Sequence, residues 1–475
     1  MEILSRQTAN ANAAEEVCPY TGATVSSQLA AATTGRKAAL KEPPGDMGRP
    51  YIGNMKAFGA DPFSFTLNGT RKYGGVWKTR LLGTTVVFFA GARPFSFFMD
   101  PNNFTRENAT VKFVQALLHP EAVPFLDGDV HKRRKQLLLA AFSDAALEGY
   151  LPNIQAVFNR YAAGWVGQDK AIGRDVRQLV FDIINVLFAA GDPTKTNVAL
   201  ADDFTALAQG AFAVPVNLPG TTYRKALQAR DRLRAFVKKQ VTENDGAGTA
   251  LGVLKQARLP NGERLSAHEI EIELVHFFFA AVAALGSALA WSLVVLGQNP
   301  ELAARLRAEA DGVFGANAEP TFAQVKRLSL AAQVSRETLR TSPLTTTTLV
   351  GMAKRDLEFD GMIIRKGWKA IGLTWATLQD GTTFKDPSRF DPDRLSEEAM
   401  RSLPEGAYVP MSGGPRDGHR CGGEELVKVV IPTFIAWFVR NHDWTFPPQD
   451  TSPGPGGLGP LPRGGLRMQI RRRGR

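Results

Sequence analysis

The chain has 475 residues, 44% hydrophobic and 22% charged, with 57 Lys and Arg against 46 Asp and Glu for a net charge of +11. That balance excludes a disordered or fibrous chain and fits two or three average globular domains or one large one. Its two cysteines, Cys18 and Cys421, are far apart in sequence, which excludes a disulfide scaffold and points to a reducing, cytoplasmic compartment.

The first forty residues are rich in Ala and Thr and carry no apolar core of signal-peptide or anchor length. They predict a mobile N-terminal tail, 1–41, ahead of a single domain, 42–475. PPGDMGRPYIGNM (Pro43–Met55) reads as an ordered loop. GGVWKTRLLGTTVVFFAG (Gly74–Gly91) has two β-rich runs around a Gly-Thr turn and predicts a hairpin. HKRRK at 131–135 reads, taken alone, as a solvated basic face. The chain shows no zinc-ligand spacing, no aromatic RNA-binding motif and no basic helix pair, so its charge implies sites for anionic groups rather than nucleic acid.

Helical patterns dominate from about 130 to 340. One starts at Ser266 with Glu269 three residues on, a capping box. It runs to Gln298, where Asn299-Pro300 ends it and opens the next helix. This helix contains the longest apolar run, FFFAAVAALGSALAWSLVVLG (Phe277–Gly297). The run is about long enough to span a bilayer, but acidic residues and a cap lead into it, so it predicts a buried central helix and no transmembrane anchor. Residues 345–375 return to short strands, broken at Asp360-Gly361 and Lys366-Gly367. Then come DPSRFDPDRL, the loop GGPRDGHRCGGEE (Gly413–Glu425) and a last long helix. The fold class is mainly α with a small β part.

The cysteine loop carries chemistry. Gly422 and Gly423 have no side chain to block a flat ligand. The following helix places its N-terminal dipole beside the sulfur and favours thiolate. Arg416, His419 and Arg420 add positive charge. A thiolate beside cations, open to a planar group, suits axial ligation of heme iron by Cys421 with anchoring of the propionates. A plain buried cysteine and a redox-sensing thiol stay open on the loop alone.

Three segments in order narrow the choice: Glu337-Thr338-Leu339-Arg340 late on a helix, Phe390-Asp391-Pro392-Asp393-Arg394, and the cysteine loop. Together they resemble the cytochrome P450 superfamily of heme-thiolate enzymes over nearly all the chain after Lys41. The resemblance implies that fold, with heme b between the long central helix and the cysteine loop. It assigns Glu337, Arg340 and Arg394 to a buried structural network and His131 and Lys135 to the propionate-binding pair. It places Arg416, His419 and Arg420 beside the heme carboxylates, and implies that thiolate donation favours O–O cleavage.

Two departures shape the expected activity. Asp417-Gly418-His419 is an insert ahead of Arg420, and GHRC-x-GE is similar to bacterial fatty-acid peroxygenases. The long helix also lacks the family's acid–alcohol pair, which relays protons to the oxygen being reduced. Matching SALAW (Ser287–Trp291) puts Ala283 and Ala284 at those positions; Ser287 and His276 are the flanking polar residues. LVGMAKRDL (Leu349–Leu357) and PGDMGRP resemble the plant branch that rearranges hydroperoxides. Phe279-Ala280 replaces the Arg-Pro of the peroxygenases, and Met352 is read as replacing a propionate-binding arginine. The expected function is therefore oxidation of an apolar, lipid-like substrate through a peroxide or hydroperoxide. The alternatives are a dioxygen-dependent monooxygenase served by a ferredoxin-type donor, and a non-catalytic heme sensor or carrier.

Overall fold

The computed structural model describes residues 40–475 apart from 212, 316–318, 343–344, 455–458 and 475. The tail expected over 1–41 lies, save its last two residues, outside the described residues. About 54% of the structure is helical with a small sheet part.

The larger of two compact units comprises Pro43–Leu357 and Ile364–Arg475. Its main sheet contains β1 (Gly45–Asp46), β2 (Val76–Leu81), β3 (Thr84–Phe89), β4 (Phe104–Thr105), β5 (Gly351–Ala353) and β6 (Lys369–Gly372). The spatial order is β1-β2-β3-β6-β5-β4. β2 and β3 form the expected hairpin, Val76 opposite Phe89 through Leu81 opposite Thr84. The turn is Leu82-Gly83, one residue earlier than the sequence suggested, with φ of 48° and 76°; two left-handed residues give the twist that a two-residue hairpin needs. A second sheet pairs Asp169–Ala171, Arg467–Arg472 and His442–Thr445 antiparallel. The smaller unit joins residues 40–42 to 358–363, where Lys41 N donates to Gly361 O and Ile363 N to Lys41 O.

Six helices position the candidate site: α1 (Gly128–Leu139), α2 (Asp144–Trp165), α3 (Gly173–Ala189), α4 (Ala267–Gln298), α5 (Ser329–Thr341) and α6 (Glu424–Asn441). The Ser266 hydroxyl accepts from Glu269 N while the Glu269 carboxylate accepts from Ser266 N, so the capping box starts α4. Phe278 stacks on Phe204 at 4.5 Å and meets Phe181 of α3 at 5.7 Å, which fixes the rotation of α4 about its axis. The apolar window of α4 is long enough to cross a membrane, but 72% of it is buried inside the protein, as in a core helix. Phe158 of α2 packs on Phe434 and Trp437 of α6.

Behind α6 lies the ion network. Arg340 grips Glu337 with two parallel bonds of 2.7 Å, both side chains fully buried. Arg340 also donates to Leu378 O and Arg389 O and faces the Phe384 ring. Glu337 accepts from Asp391 N at 3.0 Å. Arg394 Nε comes within 3.3 Å of Glu337 but is not aligned for a hydrogen bond; its Nη atoms hold the carbonyls of Lys385, Asp386 and Arg389. The pair thus ties α5 to the 378–394 segment that leads into the cysteine loop. Arg340→Leu removes both aligned bonds to the buried Glu337 and leaves it only the misaligned Arg394 and the Asp391 N–H, a loss approaching that of a broken buried pair, about 3–5 kcal/mol. A lower urea midpoint and a sharply reduced yield of heme-loaded protein are expected; purification at wild-type yield and midpoint would contradict the structural role.

Candidate functional site

The inward face of α1 follows from helical spacing. His131, Arg134 and Lys135 fall at i, i+3 and i+4; all three are buried, whereas Lys132 is exposed. The HKRRK run is therefore not a solvated face. Arg134 pairs with Glu273 (3.0 Å) and Glu269 (2.9 Å) of α4, and Arg133 with Glu269 and Glu263. Lys135 reaches across to donate to Arg420 O. Burial lowers its pKa, partly offset by the Cys421 sulfur nearby.

Cys421 precedes α6, whose N-cap is Gly423. Its N–H donates to Met411 O at 3.2 Å. Protein crowds the sulfur and pushes the thiol's pKa up; the Gly423 N–H and the Lys135 charge pull the other way without winning. Yet the residue keeps exposed surface. The helix terminus alone does not make a thiolate here. A metal coordinated by Cys421 would, because it would displace the proton outright.

The inserted His419 turns to Asp127, with Nε2 and Oδ1 3.1 Å apart, and its ring lies 4.2 Å from that of His131. Burial, with His419 and Lys135 adjacent, pushes His131 down to about 3. Burial likewise lowers His419, against the pull of Asp127. Both imidazoles are therefore neutral at physiological pH. Asp127 loses solvation, but bonds from His419, Thr105 and the N–H groups of Glu107 and Arg106 outweigh that and hold it ionised. Arg106 is a buried cation that the sequence reading missed. Nothing local in FTREN marks it, since its surroundings come from distant segments. Met352 is a second difference. Strand alternation points it toward Lys369, whose Nζ lies 3.4 Å from its sulfur, and it is Gly351 that faces the Arg106 guanidinium.

Arg416 and Arg420 are not brought into this cluster. Arg416 pairs with Glu425, and Arg420 holds Glu424 with two bonds. Of the basic residue types read from the loop, only His419 joins His131 and Lys135.

The wall formed by α4 is apolar. Leu285 to Leu296 are buried, but Ala280 is exposed and Phe279, Ala281, Ala283 and Ala284 are half-buried, so this stretch borders accessible space. Ser287 is buried and its hydroxyl donates to Pro460 O at 2.8 Å, beside a bond from Trp291 Nε1 to the same oxygen. Its proton is committed there. His276 Nδ1 lies 3.1 Å from Glu273 Oε2. Ala283 and Ala284 leave no titratable side chain at their positions.

A cysteine at a helix start, a glycine pair beside it, buried basic groups around one acid and an apolar helix wall fit a planar iron cofactor with carboxylate edges. Together they define a heme-thiolate protein. The family model described as Cytochrome P450 matches residues 43–458, and the chain belongs to the cytochrome P450 family. It is 29% identical over 441 residues to the putative cytochrome P450 120 of Synechocystis sp., covering 91% of this chain and 97% of that one. Abscisic acid 8'-hydroxylase 3 of Oryza sativa subsp. indica is 28% identical over 421 residues, 86% of this chain and 83% of that one. The structure of retinoic acid bound cyanobacterial CYP120A1 superposes with a TM-score of 0.84 at 29% identity, covering 92% and 100% of the two chains. The protein is a cytochrome P450-type oxidoreductase that works with heme.

Cys421→Ala is expected to abolish the red-shifted Soret band that thiolate ligation gives the reduced carbon monoxide complex. Retention of that band in the variant would assign the iron to another ligand.

Proposed function

We propose that this cytochrome P450 is a monooxygenase that inserts oxygen from dioxygen into an apolar carboxylic acid, using electrons from a ferredoxin-type donor. The similarity to a protein named for hydroxylating abscisic acid carries this reading, and the retinoic acid of the structural relative supports the substrate class. It displaces the peroxide route as the first choice. The apolar α4 wall suits such a substrate, because a hydrocarbon body gains about 25 cal/mol for each Å² removed from water. The cofactor is read as heme b, held by Cys421 and by contacts rather than by covalent attachment: with Cys18 and Cys421 alone, the chain has no C-x-x-C-H pair.

When bound, heme with a thiolate ligand supplies O–O cleavage and oxygen transfer. The chain's own residues hold the sulfur, orient the carboxylate edge and keep the substrate side dry. For an electron donor, the loop offers a recess of about 450 Å³ bordered by Arg336, Arg401, Arg420 and Lys428, with Glu397 and Glu424. Arg416, Arg420 and Lys428 against Glu424 and Glu425 leave a small cationic excess there, suited to an acidic partner.

One observation favours the second reading, in which hydrogen peroxide or a lipid hydroperoxide is the oxidant. Ala283 and Ala284 cannot donate a proton, and a positioned donor is worth about 10²–10⁴-fold. The dioxygen route is therefore expected to work but to leak, with many electrons ending as free peroxide. An oxidant screen on purified holoenzyme with retinoic acid tests this. Product is expected with dioxygen, a surrogate ferredoxin and its reductase. Ala283→Asp with Ala284→Thr is expected to raise the share of electrons recovered in product. Faster product formation from hydrogen peroxide alone, with none through the reductase, would establish the peroxide reading instead.

A further inference from the structure

Arg106 is 5% exposed. One guanidinium nitrogen, Nη1, donates to Leu349 O at 3.0 Å; Nη2 has only the thioether of Met99 at 3.8 Å. Among the described residues no carboxylate lies within ion-pair distance of it. Asp127, the acid whose field reaches it, takes its backbone N–H instead, and Asp127's oxygens are filled by Thr105, Glu107 N and His419. The Phe98 ring, 4.5 Å away, offers a weaker cation contact. A buried guanidinium without an anion is costly, and burial accordingly lowers its pKa to about 10. Arg106 follows β4, and β4 pairs with β5. A Cβ at Gly351 of β5 would fall 3.0 Å from Nη1, so any other residue there would press on the guanidinium.

We propose that Arg106 binds a carboxylate at the His131–His419 edge of the site, and that Gly351 is the gap that admits its guanidinium from the neighbouring strand. A planar guanidinium fits a carboxylate with two parallel bonds. Two sources share this chemistry: a carboxylate of the porphyrin, or the acid group of an apolar substrate. The second rests on the proposed substrate class; the first does not.

The test uses purified holoenzyme of wild type, Arg106→Ala, and Arg106→Ala with Gly351→Arg. Heme transfer to excess apomyoglobin and spectral titration with retinoic acid and its methyl ester are measured. If the porphyrin is the ligand, Arg106→Ala transfers heme about 10- to 100-fold faster, the loss expected for a charge-assisted hydrogen bond, and the double variant recovers. If the substrate is the ligand, heme transfer stays unchanged and a wild-type preference for the acid over the ester disappears. No change in either measurement overturns the proposal. Should Arg106→Ala not accumulate as holoenzyme, the double variant decides. Restored heme loading supports the carboxylate contact. Continued failure assigns the loss to packing on Phe98 and overturns it. None of these readouts depends on which oxidant the enzyme uses.

Discussion

A charge taken out of water must meet its opposite, and this constraint organises the protein around its cysteine loop. Glu337 and Arg340 satisfy it within four residues of chain and then recruit the carbonyls of the 378–389 segment. Arg134 satisfies it between helices, through Glu273, whose other oxygen orients His276. Such pairs contribute little net stability over apolar packing. What they provide is position: each fixes one register, α1 against α4 and α5 against the segment that leads into the loop. The cysteine inherits that indexing.

The same constraint separates two faces of the loop. On the side of α6, Arg416, Arg420 and Lys428 face Glu424 and Glu425, and the charges largely cancel at the surface. On the side of α1, two neutral imidazoles, a lysine and a guanidinium gather around Asp127, whose acceptors are already used. The first arrangement is complete within the chain; in the second, among the described residues, the Arg106 guanidinium meets a carbonyl and a thioether but no carboxylate. Sequence proximity to Cys421 does not distinguish them, because Arg420 and His419 are adjacent and point to opposite partners.

This explains what could and could not be read beforehand. Local signals carried far: the capping box at Ser266, the breaker at Asn299-Pro300, the Asp360-Gly361 turn and the glycine-flanked cysteine are all short-range chemistry, and the chain takes those shapes. The i, i+3 spacing of Glu337 and Arg340 was equally legible. Failures came where a side chain's partner lies far off in sequence. HKRRK looks like a solvated run until Glu273 is placed opposite Arg134, 139 residues away. Arg106 needs Leu349, 243 residues on. Ser287 looks free until Pro460 meets it. Met352 and Gly351 differ by one position, and only strand pairing says which one faces the guanidinium.

The loop at 459–461 bears on how the protein is made. Gly459, in a left-handed conformation, lies directly on the Ala283 backbone, while Pro460 O ties down Ser287 and Trp291 and Arg177 grips Gly459 O. That cover is synthesised roughly 160 residues after α4 ends. At about 5–20 residues per second, a ribosome holds the apolar helix without its cover for roughly ten to thirty seconds, and Cys421 emerges late in the same interval. The two sides of the site are thus finished in a fixed order, the cysteine loop first and the cover over Ala283 after it.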